Sequence, residues 1–210
     1  HDINPTRFEF ITEFAQFDGI KALDGGCGGG IITEGLARRG AISTGVDLAI
    51  GALEVARGHA QATGLDIDYQ LSTVEALADL QPETYDVITC LEMLEHVPDP
   101  QSILYACSKL LKPGGKIFLS TINRTFKAKQ LVIFTAETVL KIVPKGTHDF
   151  DKFITPFELY SYCENAGLSV KETRGMSFNP CNRVAYLTKD LSMNYLLYAE
   201  KPLTDHSTEV

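Results

Sequence analysis

The sequence predicts an α/β fold in which an open, mostly parallel sheet carries helices on both faces. Short apolar segments alternate with segments of helical spacing between residues 20 and 122, as in chains built from strand–helix–strand units. A glycine-rich turn follows the first of these apolar segments. Because 44% of the 210 residues are hydrophobic, the chain can bury one sizeable core, and we expect a single domain.

Each strand is predicted from a short apolar run, and each helix from apolar residues that recur every three or four positions. Phe8, Ile11 and Phe14 have this helical spacing, and the run at 85–91 is apolar enough for a central, buried strand. The predicted strands are 20–24, 43–47, 68–71, 85–91, 116–122, 168–173 and 193–199. The predicted helices are 4–16, 31–39, 49–63, 74–78, 99–111, 130–143 and 156–166, with a turn at 112–115.

The regular alternation stops after Asn123, where residues 124–153 form an insertion too long for an ordinary connection. We expect one domain over 1–201 that contains this insertion, followed by a disordered tail at 202–210. The insertion has six basic residues against three acidic ones, within a chain of net charge −8. Two interpretations stay open: a lid packed on the domain, or an amphipathic segment that contacts anionic lipid head groups. Its basic residues are Arg124, Lys127, Lys129, Lys141, Lys145 and Lys152.

Composition argues against several classes of protein. The net charge of −8 disfavours a nucleic-acid partner, because phosphate binding needs a basic face. No apolar run approaches the length of about 18 residues that suggests a membrane-spanning helix. The five cysteines include no C-x-x-C pair, which favours a reducing compartment over a disulfide framework.

The glycine-rich turn indicates a bound nucleoside. Asp24, Gly26, Gly28 and Gly30 form the pattern D-x-G-x-G-x-G where a strand passes into a helix, and Asp24, Gly26 and Gly28 are candidate cofactor-binding residues. The dinucleotide pattern G-x-G-x-x-G is absent, and Asp47 ends the second strand, where a carboxylate can accept hydrogen bonds from both ribose hydroxyls. S-adenosylmethionine, a nucleoside cofactor without a pyrophosphate, fits this combination best. The alternative is a tight strand-to-helix turn that holds no ligand.

A second candidate site follows the strand at 85–91. If this segment turns helical, Glu92, Glu95 and His96 share one face, and their oxygens and nitrogen suit Mg²⁺, Mn²⁺ or Zn²⁺. The alternative is that the acids cap a short helix and His96 is an ordinary hydrogen-bonded side chain. His148 is the candidate for a further ligand or a proton acceptor, or it is a solvated loop residue. Arg7 is the candidate partner of the methionine carboxylate, or it is a solvated surface residue.

Three motifs together resemble the class I S-adenosylmethionine-dependent methyltransferases: the glycine-rich turn, Asp47 and L-L-K-P-G-G at 110–115. Further runs resemble the ubiquinone-biosynthesis O-methyltransferases, which methylate polyprenylated catechols. These runs are I-N-P-T-R at 3–7, E-M-L-E-H-V-P-D-P at 92–100, S-T-I-N-R at 120–124, V-P-K-G-T-H at 143–148 and N-Y at 194–195. The resemblance implies a Rossmann-like sheet of seven strands, with the last strand antiparallel and the insertion after the fifth.

The resemblance also implies site residues. For the cofactor it implies residues of the first helix and of three strand ends, namely Arg7, Gly26, Asp47 and Leu91. For a divalent metal, Mg²⁺ above all, it implies the triplet of the eukaryotic members, Glu92, Glu95 and His96. Small-RNA 2′-O-methyltransferases share this E-x-x-E-H pattern with a distant histidine, which makes His148 the expected completing ligand. The chain departs from the family at Ala22 and Gly25, where a branched residue is usual.

Taken together, the sequence predicts transfer of a methyl group from S-adenosylmethionine to a hydroxyl of a polyprenylated catechol in ubiquinone biosynthesis. Metal assistance is expected, with His148 or His96 as proton acceptor and with cofactor binding that survives replacement of Glu92 and Glu95. Because bacterial relatives are associated with membrane lipid through the insertion, we expect a cytoplasmic protein, peripheral at the inner face of the membrane (the mitochondrial matrix side in a eukaryote). Other ubiquinone-biosynthesis proteins are expected partners. Two alternatives stay open: an RNA 2′-O-methyltransferase, and a non-catalytic lipid-binding scaffold of a quinone-synthesis complex.

Overall fold

The structure, a computed structural model, describes residues 3–125, 128, 150–179 and 182–203. Eight strands form one sheet in the order β3-β2-β1-β4-β5-β8-β6-β7. Strands β1 to β6 run in one direction, and β7 and β8 run against them. The strands are β1 Lys21–Gly25, β2 Ile42–Asp47, β3 Ile67–Leu71, β4 Tyr85–Leu91, β5 Leu111–Ile122, β6 Ser169–Asn179, β7 Val184–Thr188 and β8 Asn194–Glu200.

Helices cover both faces of this sheet, and local sequence fixes where several of them begin. Asp99 caps one helix by accepting hydrogen bonds from the next free backbone N–H groups, and Thr155 and Glu158 form a reciprocal capping box at another. The helices are α1 Asn4–Phe14, α2 Ile31–Ala37, α3 Ile50–Thr63, α4 Val74–Leu80, α5 Pro100–Leu110 and α6 Pro156–Asn165, with 3₁₀ turns at Leu94–His96 and Phe150–Lys152. In the described parts of the chain, none of them has both the length and the hydropathy that crossing a membrane requires.

The sheet confirms the predicted α/β class and its antiparallel last strand, but it has eight strands and not seven. The additional strand is β7, which pairs with β6 at the sheet edge. The predicted turn at 112–115 belongs instead to β5, which begins at Leu111 and has an irregular register opposite Tyr85 and Val87. The predicted helix at 130–143 and residues 204–210 of the predicted tail lie outside the described residues.

The core consists of two main apolar clusters, one on each face of the sheet. Ile117 and Leu119 of β5 belong to the cluster beneath α4, α5 and α6, whereas Phe118 belongs to the cluster beneath α1 and α2. This alternation follows from the period of two along a strand. The two faces of β5 can therefore be told apart by the parity of the residue number.

Contacts of Phe8 and Glu13 help to fix helix α1 to its neighbours. The ring of Phe8 packs directly against Gly35 of α2, and the guanidinium of Arg39 lies 4.0 Å from the centre of that ring. Near the other end of α1, Glu13 forms two hydrogen bonds with Arg174 of β6, at 2.6 and 2.7 Å. These contacts hold the first turn of α1 beside the carboxyl ends of the central strands.

Candidate functional site

A cavity of about 350 Å³ lies at the carboxyl ends of β1 to β4. This is the edge at which open α/β sheets bind their ligands. Gly26 and Asp47, two of the residues that the sequence predicts for the cofactor, line the cavity. Arg7 and Leu91 lie beside the same edge, at the start of α1 and at the end of β4.

Several residues of the cavity wall are not among those predicted from the sequence. Leu48 and Ser72 line the cavity directly after β2 and β3, so the rule that selected Asp47 from the end of a strand would have selected them as well. Met93 and Val97 also line it, after β4. Both belong to the segment that was interpreted only through its acids and its histidine.

The backbone of the glycine-rich turn excludes side chains at two positions. Gly26 and Gly30 have φ angles of 71° and 81°, in the left-handed region that disfavours residues with a Cβ. A Cβ on Gly26 would lie 2.7 Å from the Sδ of Met93, and a Cβ on Gly30 would overlap the hydroxyl of Tyr69. Both positions therefore require glycine, and Gly26 does so on the cavity wall.

Asp47 holds the glycine-rich turn from the second strand. Its Oδ2 accepts a hydrogen bond from the backbone N–H of Gly28 at 2.8 Å, and its Oδ1 accepts one from that of Ala49 at 2.8 Å. A carboxylate offers about four lone-pair sites, so both oxygens can still accept from ribose hydroxyls. Gly28 thus contributes its N–H to Asp47.

Asp24 supports the turn from below. It is 3% exposed, its Oδ2 accepts a hydrogen bond from the hydroxyl of Thr33 at 2.7 Å, and its Oδ1 accepts one from that of Thr89 at 2.8 Å. Burial raises the pKa of Asp24 to about 6, although both hydroxyls lower it. The carboxyl group therefore joins α2 to β4 beneath the turn.

Arg7 and Glu92 meet at the end of β4. Arg7 is 8% exposed, and its Nη2 lies 3.1 Å from Oε1 of Glu92, while its Nη1 donates to Oδ1 of Asn4 at 3.1 Å. The same Oε1 accepts hydrogen bonds from the hydroxyl of Ser120 at 2.6 Å and from Nδ2 of Asn194 at 2.8 Å. We refer to Arg7, Glu92, Ser120 and Asn194 as the Arg7 cluster. Within the described residues, Nε of Arg7 and Oδ1 of Asn194 are buried without a hydrogen-bond partner.

The expected helical face with both acids does not form. Glu92 has a left-handed φ of 55°, and only a 3₁₀ turn, Leu94–His96, follows it. Glu95 is 4% exposed and accepts a hydrogen bond from the hydroxyl of Thr121 at 2.9 Å. Because Ser120 and Thr121 are successive residues of β5, their side chains project to opposite faces, and so do the carboxylates that they bind.

This separation explains why the described residues provide no metal site. Among residues 3–125, 128, 150–179 and 182–203, no group of three or more His, Cys, Asp and Glu side chains could hold a metal ion. His96 is exposed at the end of the 3₁₀ turn, and His148 lies outside the described residues. Burial raises the pKa of Glu95, and the negative charge of Glu92 raises it further. The described residues thus bring Glu92, Glu95 and His96 into no such group, and the predicted contribution of His148 lies outside them.

The two departures from the family pattern are accommodated locally. A Cβ on Gly25 would lie 3.0 Å from Cγ2 of Val74 and 3.6 Å from the carbonyl oxygen of Thr89. Val74 therefore occupies the space that a larger side chain at position 25 would fill. Val74 also lines the cavity. Ala22 is fully buried. Gly25 is thus packed by the first turn of α4, whereas Ala22 belongs to the apolar cluster beneath α1 and α2.

One of the basic residues of the insertion is already paired. Nε of Arg124 donates to the carbonyl oxygen of Phe153 at 2.8 Å, and its Nη2 lies 2.9 Å from Oε1 of Glu158. These contacts join the two ends of the insertion. Lys152 is exposed, and the other basic residues of the insertion lie outside the described residues.

The chain is similar to known proteins over almost its whole length. Residues 23–119 match a family model described as a methyltransferase domain. A protein of Saccharophagus degradans described as ubiquinone biosynthesis O-methyltransferase is 52% identical over 202 residues, which are 96% of this chain and 86% of that protein. A protein of Azoarcus sp. with the same description is 49% identical over 201 residues, again 96% of this chain and 86% of that protein.

Solved structures agree on the fold. A SAM-dependent methyltransferase from Methanosarcina mazei superposes with a TM-score of 0.70 at 20% identity, covering 92% of this chain and 97% of that one. A SAM-dependent methyltransferase from Aquifex aeolicus gives 0.68 at 15% identity, covering 92% and 88%. At such identities the likeness shows the fold alone, and it confirms the predicted class I methyltransferase architecture.

Proposed function

This chain belongs to the ubiquinone biosynthesis O-methyltransferase family and is an S-adenosylmethionine-dependent methyltransferase, and we propose that it methylates a hydroxyl of a polyprenylated catechol. One observation carries the proposal: the chain is about half identical to proteins of that name across 96% of its length. The name of these relatives implies a prenylated, quinone-type substrate.

The cavity supports the cofactor half of the proposal. Asp47 offers acceptors for the ribose hydroxyls, and Gly26 lets the cofactor approach the backbone without meeting a Cβ. The buried, unpartnered Nε of Arg7 suits a carboxylate such as that of the methionine moiety. Leu91, at the end of β4, then lies beside the methionine end. Asp24 and Gly28 would act on the cofactor by shaping the turn.

The chemistry to be assisted is the methylation of a weakly acidic oxygen. A phenol has a pKa of about 10, so little phenolate is present at neutral pH. When bound, S-adenosylmethionine supplies a methyl group on a positively charged sulfur. The task of the protein is to hold the acceptor oxygen in line with that methyl group, and such positioning supplies much of the acceleration.

Removal of the phenol proton remains a hypothesis, with His96 and His148 as the candidates. Assistance by Mg²⁺, Zn²⁺ or Mn²⁺ is likewise a hypothesis, and it would need ligands other than Glu92 and Glu95 acting together. No step proposed here passes through a metal ion.

The insoluble tail of a polyprenylated substrate gives a physical reason for contact with a membrane. We propose that the insertion at 124–153 rests on anionic lipid at the inner face of the membrane, so that the protein is peripheral. Because Arg124 is paired with Glu158, this contact falls to the lysines of the insertion. Partnership with other ubiquinone-biosynthesis proteins remains part of the same hypothesis.

Turnover of a soluble substrate tests the proposal. The protein is incubated with methyl-labelled S-adenosylmethionine and a catechol that carries a short prenyl chain, and we expect a labelled methyl ether. Asp47→Ala should abolish formation of the methyl ether. Asp66→Asn should not, because Asp66 is an exposed acid at the opposite ends of the strands. Cofactor binding without turnover would favour the non-catalytic scaffold, and labelling of a short RNA in place of the catechol would favour the RNA methyltransferase.

A further inference from the structure

We infer that Glu92 positions Arg7 for the cofactor. The inference rests on the proposed S-adenosylmethionine site, because it takes Arg7 as the partner of the methionine carboxylate. Glu92 acts through Arg7 and touches no reacting atom, so it is a positioning residue. This is a different task from the one that the E-x-x-E-H pattern suggests for its first acid.

The positive charge of Arg7 is buried. Its side chain is 10% exposed, and a cation in such a place is strongly unfavourable unless an acid pairs with it. Glu92 is that acid, at 3.1 Å. The pairing leaves Nε of Arg7 without a partner in the described chain, so the guanidinium has one side fixed and one donor unsatisfied. A ligand carboxylate is the group that such a donor fits.

Glu92 contacts its neighbours through one carboxylate oxygen. Oε1 contacts Arg7 of α1, and it accepts hydrogen bonds from Ser120 of β5 and Asn194 of β8. A carboxylate oxygen has about two lone-pair sites, so these three contacts occupy Oε1 fully. The same contacts fix the carboxylate in place, which is what a residue that orients another side chain requires.

The backbone of Glu92 has an uncommon conformation. Its φ of 55° lies in the left-handed region, which glutamate seldom adopts. Such a conformation persists only where the surroundings enforce it, and it is concentrated at functional sites. Here it accompanies a side chain on the α1 face of the sheet, whereas Glu95 binds Thr121 on the other face. The two carboxylates are thus held by different residues of β5.

The charge of the cofactor supplies a measurable difference. S-adenosylmethionine carries a sulfonium, an ammonium and a carboxylate, and its net charge is positive. S-adenosylhomocysteine has lost the sulfonium charge and is neutral overall. Removing the negative charge of Glu92 should therefore weaken binding of S-adenosylmethionine more than binding of S-adenosylhomocysteine, in addition to releasing Arg7.

A double-mutant cycle tests the inference, with affinities for both compounds measured by calorimetry. Glu92→Gln keeps the shape of the side chain and should weaken S-adenosylmethionine binding about tenfold, or ~1.4 kcal/mol. In an Arg7→Ala background the same change should weaken binding of S-adenosylhomocysteine by less than about twofold, because this neutral compound senses Glu92 only through Arg7. Glu95→Gln is the matched comparison on the opposite face, and it should leave the affinity within about twofold of wild type.

The measured affinities distinguish failure of this inference from failure of the proposed function. Losses of S-adenosylhomocysteine affinity that simply add in the double variant would overturn the inference, as would unchanged cofactor affinity in Glu92→Gln together with lost binding of MgCl₂ or ZnCl₂ in a separate titration. If wild type binds neither compound, the proposed function itself fails. Thermal melts verify that each variant folds, and Arg7→Lys replaces Arg7→Ala if the latter does not.

Discussion

The ring of Phe8 occupies the space directly above Gly35, so a Cβ on Gly35 would overlap it. This contact joins α1 to α2, one residue away from Arg7. The close approach of the two helices therefore depends on the absence of a single methyl group, and the position of Arg7 depends on that approach.

Replacing Gly35 by alanine should displace α1. Overpacking a tight contact typically costs about 1–3 kcal/mol, and we expect that loss in urea unfolding together with weaker binding of S-adenosylhomocysteine. Gly58→Ala is the matched control, because a Cβ on Gly58 of α3 would meet no heavy atom of the described chain within 4 Å. The control should be neutral or slightly stabilising. An unchanged affinity in Gly35→Ala would show that α1 does not control the site.

The buried carboxyl of Asp24 should make stability depend on pH. Because its pKa is raised from 3.8 to about 6, the folded state holds the proton more tightly than the unfolded state. Its contribution to stability is therefore fully present below about pH 4 and is lost as the pH rises through 6. Between pH 5 and pH 8, wild type should lose about 1–2 kcal/mol relative to Asp24→Asn in urea unfolding. If the unfolding free energies of the two proteins changed equally with pH, this prediction would be wrong.

The turn should require glycine at position 26 for binding and not only for folding. Gly26→Ala places a Cβ against Met93 on the cavity wall and should abolish measurable calorimetric binding of S-adenosylhomocysteine. Gly64→Ala is the control for backbone strain alone, since Gly64 has a φ of 66° at the end of α3 and no heavy atom of the described chain lies within 4 Å of its Cβ position. It should lower the melting temperature and leave binding intact. Equal binding losses in both variants would mean that strain, not the cavity, is responsible.

The lysines of the insertion should carry any contact with lipid. Neutralising Lys127, Lys129 and Lys141 to glutamine should lower co-sedimentation with vesicles that contain anionic lipid, by about 1 kcal/mol for each charge near the surface. The matched control neutralises three lysines outside the insertion: Lys109, Lys171 and Lys189. Co-sedimentation that is reduced equally by both triple changes would point to net charge and not to the insertion.

Most of the fold, and the meeting of Gly26 with Asp47, could be predicted because their signals are local. An apolar run, a glycine-rich turn and an acid at the next strand end lie within about thirty residues, and the structure brings Gly26 and Asp47 to one cavity. The edge strand β7 was missed although its sequence, V-A-Y-L-T, contains strand-forming residues. It follows β6 closely in sequence and pairs only with that strand at the edge of the sheet.

The acceptor side of the site could not be predicted in the same way. The spacing of Glu92 and Glu95 suggested one helical face, but that argument assumes helical backbone at Glu92, whose φ is 55°. The contacts that fix Glu92 come from Ser120 and Asn194, which lie 28 and 102 residues further along the chain. No window of sequence contains both ends of such a contact. The pairing is therefore a property of the assembled sheet.

The reversed direction of β8 has a consequence for synthesis of the protein. It brings Asn194, the first residue of that strand, beside the carboxyl end of β5, where the opposite direction would bring Glu200. During translation, Arg7 and Glu92 leave the ribosome long before Asn194 does, and the nascent chain lacks one of the donors to Oε1 of Glu92 until β8 has emerged. A polypeptide released before β8 would thus expose the unpaired edge of β5 and leave the Arg7–Glu92 pair without the hydrogen bond from Asn194, and an exposed strand edge is a feature of incompletely folded chains.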